Sequence, residues 1–219
     1  MNTAYDFAKF FVSQGLDNNP NTIDGNMKLQ KLLVFAYLIC LAKYEKPLFK
    51  EDIMAFTNGY VVESVRQKYQ YEYKQFKSDS NSFVPAFNEE EKDVLECTIA
   101  IYGTLSAKKL SELSHNFEFW SDSYNKGLQN NGFHNKSKSI ITPQAMLKEI
   151  NPIRKVLFAY EQNKKIDSSF QCINGIRFFY SPSEVDINDD LIKELYEFSE
   201  EADEESYSLY YDEGNLVIF

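Results

Sequence analysis

The feature that most constrains this chain is an apolar helix over residues 29–40. Leu29, Leu32, Leu33, Ala36 and Cys40 recur on one face at helical spacing, and Phe35 and Ile39 widen that face. So broad an apolar stripe is unstable in water, so the helix belongs at the centre of a fold. Its uninterrupted apolar part, residues 32–42, is shorter than the roughly 20 residues needed to cross a bilayer. The first residues, Met1-Asn2-Thr3-Ala4-Tyr5-Asp6, lack the basic and apolar segments of a signal peptide. A soluble, cytoplasmic protein is expected.

Around this helix the pattern stays helical. Ala4, Phe7, Ala8 and Phe11 define a short first helix, and the Asn-rich residues 17–26 read as loop. Residues 51–56 read as a short helix stopped by Asn58-Gly59. Residues 61–76 read as a polar helix with Val62, Val65, Tyr69 and Tyr73 inward, followed by a loop over 78–85. Asn88 with Glu91 is a capping-box variant that starts a helix bearing Val94, Leu95, Ile99 and Tyr102, ended near Gly103. Ser106 caps a further helix, and residues 117–126 add another turn or two. Thr142-Pro143 is an N-cap and first-turn pair whose helix is kinked or divided at Pro152.

Beyond residue 166 the periodicity changes. Phe170-Gln171-Cys172-Ile173 and Ile176-Arg177-Phe178-Phe179-Tyr180 flank Asn174-Gly175, a strong hairpin signal. Asn188 caps a helix with Leu191, Leu195 and Phe198, and two strand-like runs flank residues 212–215. The expected fold is therefore α+β and predominantly α: a helical domain over 1–163, and a small ββαββ module over 164–219 packed on it.

Charge divides the chain the same way. The formal net charge is -10, but residues 184–213 hold 13 acids and one base, Lys193, leaving the remainder near +2. A net negative chain is poorly suited to the phosphate backbone, so no nucleic-acid partner is expected. Three scattered cysteines, Cys40, Cys97 and Cys172, fit neither a disulfide framework nor a zinc site, and read as small core hydrophobes. Groups for chemistry are scarce. Of the two histidines, His134 lies in a loop composition and reads as a surface residue. His115 follows a helix end, with no motif supplying a nucleophile. Neither GxGxxG nor GxxxxGK[ST] occurs, and the acidic run Glu200-Glu201-Ala202-Asp203-Glu204-Glu205 lacks calcium-loop spacing. No enzyme, cofactor or metal site is expected. Tyr69, Tyr71 and Tyr73 alternate with polar residues on one helix and cannot all face inward. Together with Glu200, Glu201, Asp203 and Glu204 they form the candidate partner surface, because tyrosine offers large contact area at little entropic cost.

Four motifs, in order, resemble one family. Met27-Lys28-Leu29-Gln30-Lys31-Leu32-Leu33-Val34-Phe35-Ala36 resembles the K-L-Q-K-L-L-Y-[FY]-[AS] signature of the Panacea antitoxin domain. Pro47-Leu48-Phe49 is similar to its P-L-F, and residues 53–62, with Gly59, Val61 and Val62, to its I-x-A-[WF]-x-x-G-P-V-V. Leu110-Ser111-Glu112-Leu113-Ser114-His115 with Trp120 resembles its L-S-x-x-[ST]-H and following Trp. One departure is Tyr60, where the family usually has proline, which predicts a less rigid turn at Gly59. The family includes the SocA-like proteolytic adaptor antitoxin and phage-associated GepA-like proteins. The resemblance implies a helical domain that neutralises a cognate, usually adjacent-encoded protein toxin by direct binding. The alternative it implies is an adaptor to a AAA+ protease, or a phage or mobile-element regulator binding a host protein. Lys28, Gln30, Lys31, Gly59, Val61, His115 and Trp120 are the family-motif residues. They are expected to cap or pair within the fold more than to touch a partner.

Overall fold

The computed structural model describes residues 2–129, 132–165, 169–202, 204, 206–212 and 214–219. The chain divides into two compact units, Met1–Leu157 and Phe158–Phe219. It is α+β and predominantly helical.

The first unit is built around helix α2 (Ile23–Tyr44), which follows α1 (Ala4–Ser13). Thr22 starts α2 by accepting the Gly25 amide at 3.1 Å, and Glu45 ends it in the left-handed conformation at φ 55°. The helix is buried on nearly every side, because α1, the hairpin described below, α3 (Glu63–Tyr71), α5 (Glu89–Tyr102) and α6 (Ala107–Ser114) all pack against it. By length and composition α2 could cross a membrane, but its most apolar window is 89% buried by these neighbours, as a core helix is. Phe35 stacks on Tyr102 of α5 with ring centroids 4.3 Å apart. Phe7 of α1 stacks on Phe87 at 5.0 Å.

Local signals act where they were expected. Asn88 and Glu91 exchange both capping-box bonds at the start of α5, and Thr142 caps α8 (Pro143–Lys148) by accepting the Ala145 amide. The chain is divided before Pro152, which enters α9 (Asn151–Lys165) in its first turn, where its missing amide donor costs nothing. α7 (Glu118–Gly127) is a full helix.

Two expectations are corrected in this unit. Residues 51–56 are not a helix: Ile53–Phe56 is strand β1, and it turns through Thr57 and Asn58 into β2 (Gly59–Val61). Ile53 and Ala55 are buried while Met54 and Phe56 are only partly so, and β3 (Ile140–Ile141) supplies a second antiparallel partner. A segment this short takes its conformation from those partners. The helix of 61–76 is instead two helices, α3 and α4 (Tyr73–Asn81), broken at Glu72, so the loop expected over 78–85 begins after Asn81.

The second unit is a four-stranded sheet of order β4 (Ser169–Ile173), β5 (Ile176–Tyr180), β6 (Ser206–Asp212) and β7 (Asn215–Ile218). Asn174 and Gly175 both have positive φ (50° and 85°), as a type I′ hairpin turn requires. Helix α10 (Asp189–Ser199), capped by Asn188, connects β5 to β6, which run parallel. Phe178, Leu195, Tyr207, Leu209, Ile173, Leu191 and Val185 form its core. Cys40 and Cys97 are buried as expected, but Cys172 is exposed, since strand alternation turns it away from buried Ile173.

Candidate functional site

The motif residues meet at the β1–β2 hairpin. Gln30 lies inside the fold, where its side-chain oxygen accepts the Val62 amide at 2.9 Å and its amide donates to Asn26 Oδ1 at 3.3 Å. Lys31, 1% exposed, donates from Nζ to the Tyr60 carbonyl at 3.1 Å. From the other side, the Trp120 indole donates to the Phe56 carbonyl at 3.0 Å and the Ser111 hydroxyl to the Asn58 carbonyl at 3.0 Å. His115 hydrogen-bonds the backbone of Thr57, and its ring lies 4.1 Å from that of Trp120. Motifs distant in sequence thus hold one short hairpin that could not be stable alone.

Gly59 is dictated by this convergence. Its φ is +95°, and a Cβ there would lie 2.2 Å from Ser114 Oγ and 2.8 Å from Lys31 Nζ. Tyr60, in the place of the family's proline, is fully buried and stacks on Phe119 at 5.6 Å, so packing holds the turn. Among the described residues its buried hydroxyl has no hydrogen-bond partner. Burial and then the Glu149 carboxylate raise its pKa well above the usual tyrosine value. Val61 is buried in β2.

Lys28 is likewise internal, with Nζ donating to the Gly103 carbonyl at 2.8 Å, and burial lowers its pKa. Lys31 is more perturbed: burial brings it down to about 7. Among the described residues neither lysine has a carboxylate within ion-pairing distance. Burial, followed by the Lys31 ammonium, pushes His115 below the usual histidine value, and the bond to Thr57 opposes this.

Lys31 also lines a cavity of about 490 Å³ between the start of α2, α3 and the hairpin. Arg66, Asn26, Gln30, Tyr69 and Gln70 contribute polar groups to its wall, with apolar surface from Phe56, Met27 and Ile23. Among the described residues no Asp or Glu lines it. Arg66 is committed to Glu63 through Nε to Oε2 at 2.5 Å and Nη2 to Oε1 at 3.0 Å, and also bonds Gln70. Against the effect of burial, Arg66, Lys136 and Gln67 hold the Glu63 carboxyl at about 2.

The candidate partner surface is divided by the structure. Tyr69 is core: 1% exposed, its hydroxyl donates to buried Asp17 at 2.7 Å and accepts the Asn21 amide, so it offers no contact area. Tyr73 is half-buried and donates to the same carboxylate at 3.1 Å. Tyr71 is the exposed member of the three, at 72% exposure, and its side chain hydrogen-bonds Arg66. The residue spacing of two alternates faces only in a strand; on a helix broken at Glu72 it sends Tyr71 outward and its neighbours in. Glu200, Glu201 and Glu204 are exposed, and Asp203 lies outside the described residues. His134 is not a free surface histidine: it is half-buried, with its ring stacked on Tyr124 at 4.8 Å. No group of three or more His, Cys, Asp or Glu is arranged to hold a metal ion among the described residues.

The fold and its hairpin clamp define a mostly helical domain whose distinctive polar residues are spent inside it. Residues 29–121, less than half of the chain, match the model of one family, the antitoxin SocA-like, Panacea domain. Gln30, Lys31, Gly59, Val61, His115 and Trp120 fall within the match, and Lys28 immediately precedes it. No curated protein and no solved structure matches the chain.

Proposed function

We propose that the protein is an antitoxin that neutralises a cognate protein toxin, encoded beside it, by direct binding and without catalysis. The observation that carries this reading is the match of residues 29–121 to the antitoxin SocA-like, Panacea domain model. The internal use of the motif side chains supports a scaffold role for that domain, leaving partner contact to groups outside the clamp. Exposed Tyr71 supplies one such group. The other is the acid-rich surface of α10 and the segment after it, with Asp189, Asp190, Glu200, Glu201 and Glu204.

The test is co-expression with the neighbouring gene product. Growth arrest by the neighbour alone, relieved by this chain, is expected; a neighbour without effect on growth overturns the proposal. The level of the neighbour during rescue separates mechanisms, because direct binding leaves it intact whereas delivery to a AAA+ protease depletes it.

A further inference from the structure

Among the described residues, the sheet of the second unit buries one face and exposes the other. Successive residues of a strand point to opposite faces. Ile173, Phe178, Tyr207 and Leu209 lie on the side of α10 and form the core with Leu191 and Leu195. Phe170, Phe179, Tyr210 and Phe219 lie on the other side and are 56%, 37%, 39% and 68% exposed.

Register gathers these rings. Phe170 is opposite Phe179, Phe179 lies beside Ser208, and Ser208 exchanges backbone hydrogen bonds of 2.8 and 3.2 Å with Phe219. One row therefore crosses the sheet from β4 to the end of β7. Phe170 meets Phe179 with ring centroids 5.7 Å apart, and Tyr210 meets Phe219 at 5.4 Å. Phe179 and Phe219 stand two strand spacings apart, about 9–10 Å, and the small Ser208 leaves a gap between them. At about 200 Å² for a fully exposed aromatic side chain, the four rings present roughly 400 Å². A patch of that size marks interaction sites on soluble proteins, and it is about half of one side of a standard interface.

Charge selects the occupant. Glu200, Glu201 and Glu204 precede β6 at one end of the sheet, where the Asn174 side chain of the hairpin turn donates to Ser199 Oγ at 2.8 Å. Asp212 closes β6 at the other end. Arg177 is the one base on this face among the described strand residues. Residues 184–213 hold 13 acids and one base, so a second copy would set that charge against itself. A basic protein would instead be attracted at both ends while its apolar side chains cover the rings, giving an apolar centre within a charged rim.

We infer that this sheet face is the surface on which the toxin docks, with an apolar side chain of the toxin over Ser208 between the aromatic pairs and basic residues at the acidic ends. The inference rests on the antitoxin reading and adds where, and by what chemistry, the toxin is held.

Cys172 is the reporter, because it is exposed on this face opposite Arg177 whereas Cys40 and Cys97 are buried. The full chain is treated with N-ethylmaleimide, alone and with the neighbouring gene product, and labelling of Cys172 is followed by mass spectrometry. Rapid labelling of the chain alone and at least tenfold slower labelling in the complex are expected. Phe170→Ser combined with Phe219→Ser should weaken the complex at least tenfold, and Glu200→Gln with Glu201→Gln several-fold at low salt. Growth rescue by the wild type with Cys172 still labelled in the complex, or with affinity unchanged in either variant, overturns the inference and leaves the antitoxin reading standing. Slow labelling of the chain alone gives the face to a second copy if light scattering shows a dimer, and to the chain itself if it shows a monomer; both overturn the inference. A neighbour without effect on growth removes the antitoxin reading and the inference with it. Should the phenylalanine variant not fold, the labelling of the wild type decides.

Discussion

Replacing Lys31 by methionine should make the protein more stable, although Lys31 lies within the stretch that matches the family model. Folding places this side chain in a dry site whose pKa is about 7, against 10.5 for lysine in water. Each pH unit between those values is ~1.36 kcal/mol, so folding with the ammonium charged costs on the order of 4–5 kcal/mol. Methionine is of similar length and removes this cost, but it leaves the Tyr60 carbonyl without its donor, a loss of about 1–3 kcal/mol. A net stabilisation of about 1–4 kcal/mol at pH 7 follows. The pH dependence has a definite sign. Above pH 7 the unfolded chain binds a proton at Lys31 that the folded chain does not, so wild-type stability rises with pH. The part of the penalty relieved between about pH 7 and 8.5 is ~1.6 kcal/mol. Above that window the thiols of Cys40 and Cys97, which burial raises, act in the opposite direction. Denaturant unfolding of both proteins at matched pH measures this directly. The wild-type minus variant difference should shrink by about that amount across the window. A constant difference, or a variant destabilised at pH 7, would refute the argument that Lys31 is buried as an unpaired cation.

The remaining predictions concern the clamp, the core and the acidic end. Gly59→Ala should destabilise by about 3 kcal/mol or more in thermal unfolding, combining a positive φ with a clash against Ser114 and Lys31. Tyr60→Phe should be neutral or slightly stabilising, because it removes a hydroxyl that has no partner, whereas Tyr69→Phe should cost about 1.5–3 kcal/mol by taking a donor from buried Asp17. Equal effects of the two tyrosine changes in chemical denaturation would contradict the hydrogen-bond assignments. With a basic toxin, residues 184–213 should steer association, so the stopped-flow on-rate should fall as salt rises, and a flat profile would remove steering from the account.

Legibility of the fold in the sequence followed the range of the interaction. Asn88 with Glu91, Thr142-Pro143 and Asn174-Gly175 act within a few residues, so their helix starts and hairpin turn are readable locally. The central position of α2 is readable from Leu29, Leu32 and Leu33 for a similar reason. The β1–β2 hairpin is not, because Ile53 pairs with Ile141 and its carbonyls are held by Lys31, Ser111 and Trp120 from far along the chain. Nothing near Ile53 announces those partners. The depth of Lys28 and Lys31 was equally hidden: charged residues normally mark a solvated face, and only packing on all sides of α2 puts these two inside. The cavity was invisible because Lys31, Asn58 and Arg66 become neighbours only after the hairpin has docked. Among the tyrosines, alternation along the sequence showed that one must face out, and the break at Glu72 decides that it is Tyr71.

The most direct measurement of the central claim is purification of this chain co-expressed with its neighbouring gene product, by size exclusion with light scattering. Neutralisation by direct binding predicts one peak containing both chains in fixed ratio, with the toxin intact, under conditions where growth is restored. Restored growth with the toxin degraded, or with the two chains eluting separately, would contradict it.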